Sequence, residues 1–256
     1  MTFHASFALV AWGDLVVRRA LSITFLLASA LCMPVAYAGL TLTTEDYPPF
    51  NMQDPASHAI TGISVDKVVE LMHRAKESYT LDMYPWSRAY QLALQSKETC
   101  VFSTTRTPER EALFSWVGPL VRNNWVVFGR VEDQTPPKTL DELRPFTVGG
   151  YKEDAVGEFL KSQGLTVDPA DHDDLNPKKL SMGRVNYWAT GELMGRYEIA
   201  KAGLTDKIVM LFKFKQTELY LACNSSVAPK KIEKLNKILQ QMDRDGTSVA
   251  IERKYQ

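Results

Sequence analysis

From Leu40 onward the chain alternates short apolar β-type runs with amphipathic helical runs, and no other feature restricts its fold as strongly. Alternation of this kind implies parallel sheets with helices on their faces. Residues 40–44 alternate apolar and polar side chains like a strand, which Glu45-Asp46-Tyr47-Pro48-Pro49-Phe50 ends as a loop carrying two aromatics. Gly62-Ile63-Ser64 opens a helix with Val65, Val68, Val69 and Met72 at helical spacing. Residues 79–84 read as a second strand, and Pro85-Trp86-Ser87-Arg88 starts a helix running to about Ser96. A third strand covers 99–102, a helical run covers 111–116, and 124–130 is again strand.

The polar, proline-containing residues 131–137 look like a boundary between two lobes. Beyond it come a short helix at 140–143, a strand at 146–149 and a helix at 155–163 ending at Gly164. Asn176-Pro177 starts a helix that Gly183 ends. A strand at 185–189, a helix at 192–201 and strands at 208–212 and 219–223 follow. The amphipathic helix 229–242 places Ile232, Leu235, Ile238 and Leu239 on one face, and a last helical segment covers 248–254.

Between the third strand and the helical run lies Phe102-Ser103-Thr104-Thr105-Arg106-Thr107-Pro108-Glu109-Arg110, which reads as an anion-binding corner. Three hydroxyl residues at a strand end offer donors to an oxygen-rich ligand. Thr107 suits an N-cap and Pro108 the first helical position. Arg110 gains nothing from the dipole of a helix start. Its planar fork of donors either holds a carboxylate bidentately or pairs Glu109 or Glu111 on a solvated face.

The first 38 residues are of a different kind. Arg18 and Arg19 precede an apolar run over 20–31, and Ala36-Tyr37-Ala38 is an Ala-x-Ala cleavage site, so a secretory signal peptide is expected, with Gly39 the first mature residue. The long stretch before Arg18, which includes Trp12 and Asp14, suggests a start codon nearer Val16 or Val17. The mature chain keeps 28 basic and 29 acidic residues. That balance argues against nucleic acid as a partner, which needs a basic patch. Cys100 and Cys223 are the two cysteines of the mature chain, and both lie in strand-like runs. In an oxidising compartment they either bridge adjacent strands or remain buried thiols.

No Gly-rich phosphate loop and no Gly-x-Ser-x-Gly elbow is present. His58, His73 and His172 are scattered, and Asp171-His172-Asp173-Asp174 reads as a solvated loop rather than a metal site. No catalytic residue, metal or cofactor is therefore expected.

The order Tyr47-Pro48-Pro49-Phe50, Thr61-Gly62-Ile63-Ser64-Val65-Asp66 and Ser103-Thr104-Thr105-Arg106-Thr107-Pro108-Glu109-Arg110, continued by Leu140-Asp141-Glu142-Leu143 and Gly183-Arg184-Val185-Asn186, resembles the family 3 periplasmic solute-binding proteins, the polar amino acid receptors of ABC importers. The resemblance implies an α/β, two-lobed fold of the type II periplasmic kind with two crossover hinge strands. Lobe 1 would comprise 39–128 and 221–256, and lobe 2 would comprise 129–220. It also implies that Arg110 binds a ligand carboxylate, helped by Ser103 and Thr105, with Thr104 between them. Tyr47 would cover the ligand and Trp86 would stack on it.

Where the family has Gly followed by Ser or Thr at a lobe 2 helix start, this chain has Lys152-Glu153-Asp154, which makes Asp154 a site candidate. The family's acidic residue for an α-amino group falls at Gly191, with Glu192 next to it as the substitute. A further acidic position falls at Thr44, with Glu45 and Asp46 adjacent. Trp188 either faces the cleft or fills lobe 2. The implied function is capture of a small polar solute, an amino acid or related carboxylate, in the periplasm by a monomer that delivers it to an ABC permease of the inner membrane. The alternatives are a receptor read by a membrane signalling protein and, third, a dehydratase-like enzyme on the same fold.

Overall fold

A computed structural model describes residues 39–255. The expected signal peptide, its cleavage site and the alternative start lie outside the described residues.

The strands β1 (Leu40–Thr44), β4 (Tyr79–Met83) and β5 (Thr99–Thr105) run parallel in the order β4-β1-β5. They are linked by helices α1 (Ile63–Ala75) and α2 (Trp86–Gln95), after the two short strands β2 (Met52–Gln53) and β3 (Ile60–Thr61). A second parallel set is ordered β9-β7-β8, from β7 (Thr147–Tyr151), β8 (Thr166–Ala170) and β9 (Tyr187–Gly191). Its helices are α3 (Ala155–Ser162), α4 (Asn176–Ser181) and α5 (Glu192–Lys201). Two antiparallel strands of 16 residues, β6 (Ser115–Arg130) and β10 (Ile208–Cys223), join the sets. β5 meets β10 at Leu219–Cys223 and β9 meets β6 at Trp125–Phe128, so each long strand serves both halves. Helices α6 (Pro229–Arg244) and α7 (Thr247–Arg253) complete the chain against the first half.

Two expectations give way here, and one strand is added. The helix expected at 111–116 shrinks to one 3-10 turn at Glu111–Leu113, because Ser115 and Trp116 already pair with Cys223 and Ala222 as the start of β6. The strands expected at 208–212 and 219–223 are one strand. Its middle, from Lys213 to Glu218, is polar apart from Phe214, which packs with Trp125 and Phe159, and so reads as a break between two strands. β8 lacked a strand signature because it carries Asp168 and Pro169, which suits an edge strand.

The first half is packed around Leu42, Val65, Val68, Leu71, Phe102, Leu221, Leu235 and Leu239. Val69 falls on the exposed side of α1. Lys67 is buried in that helix, donating to the Leu120 carbonyl and pairing with Glu252 at 2.6 Å. A further cluster joins Tyr47, Phe50 and Ile63 of the first half to Phe128, Trp188, Met194 and Ile199 of the second, so the halves are shut on each other. Cys100 and Cys223 stand opposite each other in the β5–β10 pairing and form a disulfide. Among the described residues no helix is long and apolar enough to cross a membrane.

Candidate functional site

The hydroxyl corner is the end of β5, buried throughout, with the side chains of Ser103 and Thr105 at the seam between the halves. Tyr47, Trp86, Ser103, Thr105, Arg110 and Asp154 of the expected set meet there and, with Glu45 and Asn123, line a cavity of about 10 Å³. That volume is close to what one water needs. The backbone is strained on both walls. Ser103 has φ 59° and donates its hydroxyl to Asn51 Oδ1, while Glu153 has φ 60°. Such conformations cost of order 1 kcal/mol each in a residue other than glycine and concentrate at functional sites.

Glu153's strain has a visible use. Its carbonyl accepts from Trp86 Nε1 at 3.0 Å and from Arg110 Nη2 at 3.3 Å, which closes the second half on the first. Arg110 is 9% exposed, and its Nη1 donates to the Thr105 carbonyl at 3.4 Å. Its guanidinium lies 5.3 Å from the Trp86 ring and 5.0 Å from the Tyr90 ring. Both hydrogen bonds are long by the usual standard, so the fork retains capacity for a stronger acceptor. Of the two readings of Arg110, the surface pair belongs to its neighbour instead: Arg106 Nε donates to Glu111 at 2.7 Å.

The opposing wall is acidic. Asp154 caps α3 by accepting from the Val156 N–H at 3.0 Å; burial raises its pKa and the Arg110 charge opposes that rise. Glu45 is driven well above the ordinary carboxylate range by burial and by the charge of Asp154, offset in part by a hydrogen bond with Tyr151. Tyr151 is itself pinned, because its hydroxyl accepts from the Trp86 N–H at 3.1 Å. Tyr47 stacks on Phe50, and its hydroxyl accepts from Asn123 Nδ2 at 3.1 Å.

Three expected site residues lie elsewhere. Thr104 is fully buried and donates to the Val101 carbonyl at 3.3 Å, since alternate residues of a strand face opposite ways. Trp188 is fully buried in the second half against Phe128, with Nε1 donating to Asp173 at 2.9 Å. Glu192 points away to Asn124 and Arg196, at 3.0 and 3.1 Å. The acidic loop at 171–174 is only partly the solvated loop expected, because Asp173 is buried and also accepts from Thr190 at 2.6 Å and Asn176 at 2.8 Å. Asn123, Tyr151 and Glu153's carbonyl carry no sequence signal; Glu45 enters only as a neighbour of Thr44, and Asp173 only within the loop read as solvated.

Gly191 explains why no acid stands there. A Cβ on it would fall 2.2 Å from the Tyr47 hydroxyl and 2.8 Å from Asn123 Oδ1. Gly191→Ala is therefore expected to displace a rigid ring and to cost about 1–3 kcal/mol of stability. Urea denaturation checks this, and an unchanged midpoint would mean that Tyr47 yields freely.

The family profile of the bacterial extracellular solute-binding proteins, family 3, matches residues 40–256. The chain belongs to that family. Among solved structures, a histidine kinase sensor domain with similarity to periplasmic binding proteins has a TM-score of 0.79 at 17% identity, covering 85% of this chain and 96% of that one. A mutant of ArgBP from T. maritima has a TM-score of 0.75 at 20% identity, covering 84% and 94%. The GluR0 ligand-binding core from Nostoc punctiforme, in complex with L-glutamate, has a TM-score of 0.74 at 16% identity, covering 84% and 98%. At these identities the likeness is one of fold, the two-lobed periplasmic-binding architecture. No curated protein sequence matches the chain.

The buried acids of this family 3 chain make its stability pH-dependent with a definite sign. Burial raises Asp173 to about 6, although Thr190, Asn176 and Trp188 donate to it. From about pH 4, the unfolded value, to pH 6, the folded protein keeps a proton that the unfolded chain has released, so stability falls as pH rises through this window. Glu45, Asp46, Asp154 and Glu198 shift the same way. Carboxylates held low, such as Asp245 at about 2, act at lower pH. Asp173→Asn is expected to flatten the slope between pH 4.5 and 6.5 in urea titrations; an unaltered slope would exclude Asp173 as a source.

Proposed function

We propose that the mature protein captures a small polar solute of the amino acid class in the periplasm, as a monomer, and delivers it unchanged to an ABC importer of the inner membrane. The observation that carries this reading is the pairing of charges in one closed cleft. Arg110 stands on one wall, the buried carboxylates Glu45 and Asp154 stand with it, and Tyr47 and Trp86 close the space. A zwitterion offers its carboxylate to the guanidinium and its ammonium to the carboxylates. The hydrogen bonds from Trp86 and Arg110 to Glu153 would open and re-form as the two halves hinge. The arginine- and glutamate-binding proteins among the structural neighbours support the amino acid class.

A thermal-shift panel of amino acids, amines, dicarboxylates and sugars tests it. A solute at 100 times its dissociation constant adds about 2.7 kcal/mol. An amino acid is expected to give the largest rise, and mass spectrometry is expected to return it intact. A rise with sugars or dicarboxylates alone would overturn the reading. The histidine kinase sensor domain among the neighbours favours, second, a receptor read by a signalling protein. A permease and ATPase encoded beside this chain would support import, and a sensor kinase would support signalling.

A further inference from the structure

Next to the Arg110 cleft is a second cavity of about 330 Å³, within the range of small-molecule sites. Glu45, Asp173 and Glu198 line it, each no more than 6% exposed. The rings of Tyr47, Tyr84 and Tyr151 stand among them, and no lysine or arginine lines the space. Buried carboxylates and tyrosine faces together are what a cation needs when it leaves water.

The acids alone would not make a site, but one oxygen is left over. Asp173 is satisfied by three donors, and Glu198 pairs with Lys201 at 3.3 Å. Glu45 Oε2 is buried with no hydrogen-bond partner, and Glu45 borders both this cavity and the Arg110 cleft. A buried carboxylate oxygen without a donor is costly, and few native groups are left so without a reason. Among the described residues no group of three or more His, Cys, Asp or Glu is disposed to hold a metal ion, so the spacing suits a larger cation.

We infer that this annex is the subsite for a cationic end group of the solute, an alkylammonium or guanidinium, held by Glu45 and Glu198 beneath the tyrosines. The inference rests on the reading of the Arg110 cleft as a solute site. Two sources share this chemistry. A cationic amino acid would place its carboxylate at Arg110 and its side-chain cation in the annex. A diamine would leave Arg110 on the Glu153 and Thr105 carbonyls.

Calorimetric titration of the mature chain with L-lysine, 1,4-diaminobutane and L-norleucine separates them. L-lysine or the diamine is expected to bind at least about tenfold more tightly than L-norleucine, the worth of one charged hydrogen bond. Glu198→Gln, with its melting temperature checked, is expected to shrink that ratio about fivefold or more. Tight L-lysine with weak diamine identifies the amino acid source, and equal binding identifies the carboxylate-free source. L-norleucine binding as tightly as L-lysine would overturn the annex and leave the solute-binding reading intact. A ratio unmoved in Glu198→Gln would overturn it as well. Binding of none of the three overturns the annex, and the thermal-shift panel then decides the wider reading independently.

Discussion

Replacing Cys100 and Cys223 together by alanine is expected to lower the free energy of unfolding by about 4 kcal/mol. The bridge closes a loop of 123 residues, and a cross-link of that span removes much of the entropy of the unfolded chain. For a chain of this size the melting temperature should fall by roughly 10 °C. Packing concentrates the loss in one place. The pair lies where β10 returns to β5, two strands that bring the Ser103–Thr105 corner and the last two helices into the first half. Guanidinium denaturation of the oxidised wild type and the double variant measures the difference. A loss under about 1 kcal/mol would mean that the β5–β10 pairing and its core hold that return without a cross-link.

The second large effect concerns Arg110. Arg110→Ala is expected to weaken solute binding by about tenfold to a hundredfold, the range for a charged hydrogen bond lost from a closed site. The fork offered to a carboxylate, the bonds to Glu153 and Thr105, and the cation–ring contacts with Trp86 and Tyr90 go together. Arg110→Lys should recover little of the affinity. A point charge cannot reach the Thr105 and Glu153 carbonyls together as the two-armed guanidinium does. Calorimetry with the solute that gives the largest thermal shift provides the comparison, and wild-type affinity in Arg110→Ala would remove the arginine from the binding account.

How much of this was legible beforehand depends on what each segment faces. β1, α1 and α6 sit on or in a single core, so their apolar periodicity shows plainly, and the structure places them within about two residues of expectation. The long strands β6 and β10 do not. Over residues 118–124 and 213–218 the Gly, Pro, Asn and Lys content imitates turns, although Leu120 and Phe214 there pack on cores of their own. Thr107-Pro108 has the form of a helix cap, but the chain makes only the 3-10 turn at Glu111–Leu113 because β6 begins at Ser115.

The site divides in the same way. Tyr47, Trp86, Ser103, Thr105, Arg110 and Asp154 converge because the order of motifs along the chain marks one seam. Trp188 could not be placed from sequence, since a strand covered on both faces gives no sign of which face holds the ligand. Asp173 was hidden for a different reason. It sits in a run of charged residues, and only the turn at Asp173–Leu175 carries it inward to Trp188, Thr190 and Asn176. Glu45 stands one residue from the acid expected at Thr44, and at the separate Gly191 position the nearby Tyr47 hydroxyl leaves no room for a side chain.

Hydrogen–deuterium exchange of the mature chain, with and without the solute that stabilises it most, bears most directly on where that solute sits. Protection is predicted at residues 45–51, 103–110 and 151–156, the three segments that meet at Arg110 and Glu45. Protection confined instead to residues 119–122 and 252–255, which border a separate cavity of about 730 Å³ beside Lys67, would contradict the account.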